Sequence, residues 1–266
     1  MNKYKRIVIK IGSSTLTHQT GMLNLRQIES IVKILSDIKN SGVELVFVTS
    51  GAIPVGYSKL GFQTKPEDMA SKQAAAAVGQ CELMYMYDKL FSEFGHIVSQ
   101  VLLTNDDFID EKGRRYVENT LSRLIELGCI PIINENDTVS VKEIEVGVFS
   151  ENDELSAIVC QLIKADLLVL VSDIDGLYDS DPKANQNANL IPVVADIEEV
   201  QQYASGSYSK LGTGGMNTKI KAASLVTNSG SDAVILNGND PMNFYLAVEG
   251  KSVGTFFPAK KGTTQQ

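Results

Sequence analysis

The stretch Arg6-Ile7-Val8-Ile9-Lys10-Ile11-Gly12-Ser13-Ser14 constrains the fold most. From Ile7 to Ile11 every residue except Lys10 is apolar and β-branched. A short apolar run without alternation, stopped by glycine, is a strand covered on both faces, and such strands belong in the middle of a mostly parallel sheet. A lysine there is costly unless its ammonium meets negative charge near the strand end. Gly12-Ser13-Ser14 follows at once with backbone N–H groups and two hydroxyls, a chemistry suited to an anion. The plainer reading is a buried lysine stem whose amine reaches water.

The pattern repeats along the chain. Leu25, Ile28, Val32, Leu35 and Ile38 have helical spacing, which predicts a helix over Leu25–Asn40 with Asn24 as cap and Gly42 after its end. Val43–Val48 is a strand ending in Thr49-Ser50-Gly51-Ala52, which opens a helix. Met69–Phe94 is alanine-rich and helical. Ile97–Leu103 is a strand, Arg114–Leu127 a helix stopped by Gly128, and Cys129–Ile133 a strand in which Pro131 is out of character. That strand runs into Asn134-Glu135-Asn136-Asp137. Thr138–Phe149 alternates like a hairpin, and Glu151–Lys164 is a helix. The strand Leu167–Val171 ends in Ser172-Asp173. A polar loop over Asp179–Asn189, a short helix over Glu198–Tyr203 and a helix over Met216–Asn228 follow, then strands over Ala233–Leu236 and Val253–Phe257. Strands alternating with helices predict an α/β fold: a three-layer αβα sandwich around a mostly parallel sheet, with ligands at the carboxyl ends of the strands. Residues 1–266 read as one domain, with a seam near Asp166 between a substrate half (1–165) and a nucleotide half (166–266).

Composition excludes several classes. The net charge of −8 speaks against nucleic acid as a partner, although a small anion needs only a local positive pocket. No apolar run is long enough to span a membrane. Cys81, Cys129 and Cys160 form no CxxC pair and fit a reducing compartment, with Cys129 and Cys160 in apolar, core-like surroundings. With only His18 and His96 present, no histidine-based metal site is expected.

Each polar cluster has two readings. Gly212-Thr213-Gly214-Gly215 leads into Met216-Asn217-Thr218-Lys219, a glycine-rich turn at a helix start, where backbone N–H groups bind phosphate. It lacks both the P-loop and the dinucleotide spacing, and an ordinary loop-to-helix turn would look the same. Ser50 is either an anion-binding residue or a helix cap. Asp137 suits a substrate ammonium, or it belongs to a solvated acidic loop. The acids of Asn152-Asp153-Glu154 suit a helix start through the dipole alone. Ser172-Asp173 fits metal, ribose or a plain strand exit. Together the clusters point to phosphoryl transfer, which needs positioning and charge on the equatorial oxygens and no nucleophilic side chain.

Taken in order and spacing, Val8-Ile9-Lys10-Ile11-Gly12-Ser13, Thr49-Ser50-Gly51-Ala52, Asn134-Glu135-Asn136-Asp137, Asn152-Asp153-Glu154-Leu155-Ser156-Ala157, Ser172-Asp173 with Gly176-Leu177-Tyr178, and Gly212 to Lys219 resemble the amino-acid kinase family. The resemblance covers essentially the whole chain and is strongest to members acting on glutamate. It implies transfer of the γ-phosphoryl group of ATP, with Mg²⁺, to the side-chain carboxylate of L-glutamate, the first step of proline biosynthesis in the cytoplasm. By position Lys10 and Lys219 would stabilise the phosphoryl group and Asp153 would organise them. Ser50, Gly51, Ala52, Asn134, Asp137 and Asn152 would bind glutamate. Lys10, Gly12, Ser13, Ser172, Asp173, Thr213, Gly214, Gly215, Met216, Asn217, Thr218 and Lys219 would bind the nucleotide. Family members are homo-oligomers (dimer or tetramer), often inhibited by proline. Many carry a C-terminal PUA domain, and this chain stops at Gln266, just past the kinase domain. Acetylglutamate, aspartate, carbamate or a nucleoside monophosphate as acceptor, and a non-catalytic amino-acid sensor, are the alternatives.

Overall fold

The computed structural model describes residues 2–260 apart from 19, 63, 65–66, 140–151, 183, 198–199 and 201–214. The expected hairpin, the short helix at Glu198–Tyr203 and the Gly212–Gly214 loop fall outside the described residues. Seven strands form one sheet in the order β3-β4-β2-β1-β5-β6-β7. These are β1 (Arg6–Lys10), β2 (Glu44–Val48), β3 (Val98–Leu103), β4 (Ile130–Glu135), β5 (Leu167–Ser172), β6 (Asp232–Asn237) and β7 (Thr255–Phe257). All neighbours pair in parallel except β7, which runs antiparallel to β6.

The helices are α1 (Ser13–Leu16), α2 (Leu25–Asn40), α3 (Ala52–Leu60), α4 (Met69–Ser92), α5 (Glu111–Glu126), α6 (Asn152–Leu162), α7 (Met216–Asn228) and α8 (Met242–Val248), with a 3₁₀ turn at Asn105–Phe108. The two-residue period of β1 divides them into layers. Ile7, Ile9 and Ile11 pack with α2, α4 and α8 on one face, whereas Val8 packs with α5, α6 and α7 on the other. Both faces are therefore dry, as the unbroken apolar strands require, and the three-layer expectation holds. Lys10 shares the parity of Val8, so it points to the layer of α6 and α7. From β1 the chain steps to β2 on one side, and β5 later takes the other. The carboxyl end of β1 is thus a point where connectivity reverses, the usual place for a ligand in such sheets.

Pro131, out of character in a strand, lies inside β4 and is buried. The Ile130 N–H donates to Ile97 O on the β3 side at 2.8 Å. Successive residues alternate sides, so the donor that Pro131 lacks falls on the β2 side, where pairing starts only at Ile132. Other differences are small or concern short elements. Gly12-Ser13-Ser14 is not an open turn: Gly12 caps the single-turn helix α1. β4 and β5 run on into Asn134-Glu135 and Ser172, which places those polar residues on strands. Cys160 is buried as expected, but Cys129 is half-buried.

Two glycines set how α3 meets α4. A Cβ on Gly56 would collide with Ala75 O, and one on Gly79 with Ala52 O. The helices cross backbone to backbone, which fixes the turn before α3 against α4. In Gly79→Ala the helix-propensity gain of about 1 kcal/mol opposes an overpacking cost of roughly 1–3 kcal/mol. The collision is with backbone, which cannot rotate away, so the cost wins. Urea unfolding is expected to show a net loss of stability for Gly79→Ala; an unchanged or higher midpoint would contradict this contact.

Candidate functional site

Asp153, in the first turn of α6, is fully buried, and two lysines share its carboxylate. Lys10 Nζ from β1 lies 2.7 Å from Oδ1. Lys219 Nζ from α7 lies 3.2 Å from Oδ2. The Thr218 hydroxyl donates to Oδ2 at 2.7 Å. Lys10 and Lys219 are only 4% and 6% exposed. The sequence places them there by different periods. Lys10 keeps strand parity with Val8. Lys219 sits with Met216, Ile220 and Ala223 on the buried face of α7, at spacings of three, four and seven residues.

Burial alone would push the Asp153 carboxyl up; the charges of Lys10 and then Lys219 push it down further and leave it below the ordinary carboxylate range. The two ammonium groups would repel each other without the carboxylate between them. The two lysines and the aspartate sum to a single positive charge in a dry setting, an arrangement able to stabilise added negative charge.

The carboxyl ends of β1 and β2 are stitched together beside this cluster. The Ser50 hydroxyl donates to Ile11 O at 3.0 Å. Gly51 has φ 95, the left-handed region that favours glycine, and a Cβ there would stand 3.4 Å from Ser13 Cβ. A Cβ on Gly12 would stand 3.7 Å from Lys10 Nζ. On the other side, Asn152 Nδ2 donates to Asn134 Oδ1 at 3.1 Å. Asn134 Nδ2 donates to Gln80 Oε1 on α4 at 2.8 Å. Gly79, next to Gln80, presses on Ala52. The contacts close a ring that runs Ser50–Ala52, Ser13, Gly12, Lys10, Asp153, Asn152, Asn134, Gln80 and back to Ala52.

Asp137 follows β4 and is half-buried. Burial pushes its carboxyl up to about 6. Its charge, with that of Asp68, adds to the burial that raises the Tyr57 phenol on α3. Ser172 and Asp173 stand at the carboxyl end of β5, adjacent to β1. The Ser172 hydroxyl accepts the Ile174 N–H at 3.4 Å, and Ser172 O accepts the Gly238 N–H at 2.9 Å. Gly215 precedes α7, and Met216 buries its side chain in the core, so its amide is what it offers a ligand. Asn217 is half-buried in the same first turn. Thr213 and Gly214 fall outside the described residues.

A family model described as "Amino acid kinase family" matches residues 5–237. The chain belongs to the amino acid kinase family. This amino acid kinase is 48% identical over 260 residues to a glutamate 5-kinase of Clostridium perfringens, with 97% of each chain covered. It is 50% identical to a glutamate 5-kinase of Clostridium tetani, covering 97% of this chain and 96% of that one. A glutamate 5-kinase of Carboxydothermus hydrogenoformans is 48% identical over 98% of this chain, which spans 70% of that longer protein. Among solved structures, UMP kinase from Bacillus anthracis superposes with a TM-score of 0.67 at 18% identity over 97% of both chains. Isopentenyl phosphate kinase from T. acidophilum superposes at 0.64 with 20% identity, covering 95% of this chain and 100% of that one. These two establish the amino acid kinase fold.

One member of the ring, Gln80, and one contact of the cluster, between Thr218 and Asp153, went unforeseen in the sequence. Gln80 does carry a signal: it shares the buried face of α4 with Ala76, Leu83 and Tyr87, where a polar side chain needs a partner. The Thr218 bond to Asp153 carries none, because it depends on the packing of α7 against α6.

Asp153→Asn keeps the shape and removes the charge that two buried ammonium groups share. It is expected to cost roughly 3–5 kcal/mol of stability at neutral pH, measured by denaturant unfolding. The sign with pH follows from the depressed carboxyl. Its stabilisation is complete above the ordinary aspartate value and is lost as pH falls through the lower folded value. The variant should therefore lose this part of the acid-induced decline, and an acid limb identical to the wild type would contradict the assignment.

Proposed function

We infer that the chain is an ATP-dependent kinase of the L-glutamate side-chain carboxylate, giving L-glutamyl 5-phosphate and ADP. The observation that carries this reading is one buried carboxylate shared by two ammonium groups from β1 and α7, in a chain nearly half identical to glutamate 5-kinases along its length. The acceptor is a carboxylate, already ionised at neutral pH, so no general base is required. A glutamate Oε forms a bond to the γ-phosphorus while the bond to the bridging oxygen of ADP breaks. Negative charge spreads over the equatorial oxygens, and Lys10 and Lys219 meet it from two sides. Asp153 holds both amines in place beforehand, so little reorganisation is left for the reaction itself. Ser50 to Ala52, Asn134, Asp137 and Asn152 hold glutamate, with Asp137 facing its ammonium. Gly12, Ser13, Ser172, Asp173 and the Thr213–Lys219 segment hold the nucleotide.

Mg²⁺ would travel on the nucleotide. Among the described residues no group of three or more His, Cys, Asp or Glu side chains could cage a metal ion. Phosphate oxygens and water are the usual ligands of Mg²⁺ in such sites, with few from protein, and the ion would supply neutralising charge to the phosphates. The acceptor reading places this reaction at the start of proline synthesis. Proline shares the α-carboxylate and α-amino nitrogen of glutamate and is expected to compete for the same groups.

Two tests address the roles. Trapping with hydroxylamine should give hydroxamate from Mg-ATP and glutamate. Lys10→Ala and Lys219→Ala should each lower turnover by roughly 10²–10³-fold while retaining a cooperative melt. No hydroxamate from the wild type would refute the function, and near-normal rates in either variant would remove that lysine from the mechanism.

Asp137 predicts the pH dependence. Only its ionised form attracts an ammonium, and that form is lost as pH falls through about 6. For glutamate, kcat/KM should fall below that pH, whereas kcat at saturation should change less, because a bound ammonium lowers the acid's pKa. Asp137→Asn should weaken glutamate binding at neutral pH and abolish that inflection; persistence of the inflection would exclude Asp137 as its source.

A further inference from the structure

Gln80 is 6% exposed on a helix face otherwise lined by apolar side chains. Its Oε1 accepts from Asn134, whose own Oδ1 accepts from Asn152. Both asparagine nitrogens in this relay donate toward α4. Both ends of the Asn134 amide are engaged, so its orientation is fixed. The nitrogen of Asn152 is committed to Asn134, which leaves Asn152 Oδ1 as an acceptor, buried and without a hydrogen-bond partner among the described residues. Gln80 Nε2 at the opposite end is likewise buried and without a partner among the described residues. Unmet polar groups of this kind are rare in folded proteins and concentrate at functional sites. If Gln80 served packing alone, a Leu or Met would fill the same face without leaving a donor unmet.

We propose that Gln80 is a positioning residue of the acceptor site, setting through Asn134 the orientation in which Asn152 presents its carbonyl oxygen to the substrate. The proposal rests on the glutamate reading above. The polarity of the relay is the useful part. A carbonyl oxygen at the end of the relay is complementary to the substrate ammonium, whereas a reversed amide would point N–H groups at it. The reach of the strut is also set, because Gly79 locks this turn of α4 against Ala52. Asn152 immediately precedes Asp153, so the same relay fixes the acceptor relative to the lysine pair without adding charge to it.

Gln80→Met keeps the volume and removes the acceptor for Asn134. Gln80→Glu keeps an acceptor oxygen and, once protonated, an O–H in place of the amide donor. Steady-state kinetics in both substrates separate positioning from general loosening. In Gln80→Met the glutamate KM should rise about tenfold or more, with the ATP KM within about twofold of the wild type, since losing one bond and stranding its partner is worth a factor of this order. Gln80→Glu should retain more glutamate affinity than Gln80→Met. Its kcat/KM for glutamate, taken as a ratio to the wild type at the same pH, should climb as pH falls; the ratio cancels the titration of Asp137. A wild-type glutamate KM in Gln80→Met, or equal rises in both KM values, overturns the proposal. If Gln80→Met shows no cooperative melt, the Gln80→Glu ratio decides, and a flat ratio overturns it. Failure of the wild type to phosphorylate glutamate would defeat the functional reading instead; the same comparison, run with whichever acceptor the wild type turns over, then still decides the role of Gln80.

Discussion

The carboxylate of Asp153 draws together β1, α6 and α7, three parts of the chain far apart in sequence. A strand lysine, a helix lysine and an aspartate at a helix start would each be costly to bury alone. Together they are tolerable, because two opposite charges flank the one that is fully buried and a hydroxyl satisfies part of the remainder. Such clusters are weak arguments for stability, since apolar side chains of similar volume would fill the space as well. A dry interior that holds two ammonium groups against one carboxylate fits the proposed role of the lysines toward a transferring phosphoryl group.

That arrangement depends on the sheet being covered on both faces. Val8 and Lys10 point to the same layer, and Val8 is completely dry there. The lysine therefore emerges at the rim of an apolar layer, next to the first turns of α6 and α7, where effective dielectric is low and a charge acts strongly. The same coverage resolves the mismatch between an acidic protein, with a net charge of −8, and anionic substrates. Distant surface acids are screened by salt, whereas the local cluster is positive and shielded from water.

Much of this was legible in the sequence, and what was not has identifiable physical causes. The short apolar runs gave the strands and the parallel sheet, and the helical spacing of Leu25–Asn40 and of Met216–Asn228 gave α2 and α7 with the observed bounds. Lys10, Asp153 and Lys219 stood out as charges at strand and helix ends, and the structure brings them into one cluster. The short helices α1 and α8 and the 3₁₀ turn were missed because a few residues cannot show periodicity. Pro131 looked wrong for a strand because propensity ignores which side of the residue lacks a partner. The backbone contact of α3 with α4 is invisible in one dimension: Gly56 and Gly79 look like flexibility, yet they act by allowing close approach.

Between the acceptor groups and the phosphoryl cluster, the protein uses neutral amides where charged residues would give stronger bonds. The choice follows from distance. Asn152 adjoins Asp153 in the same helical turn, so any formal charge placed on the relay would act on Lys10 and Lys219 through a low-dielectric interior and shift the balance that Asp153 sets. Amides transmit orientation with no net charge, and their two-ended geometry transmits polarity as well. The sole acid assigned to the acceptor itself, Asp137, lies apart from the ring, and burial holds its carboxyl up to about 6. It is therefore neutralised at a higher pH than an ordinary aspartate, and a bound ammonium would hold it charged. On the roles proposed above, substrate recognition and phosphoryl stabilisation can then be tuned separately, although they fall to consecutive residues of one helix.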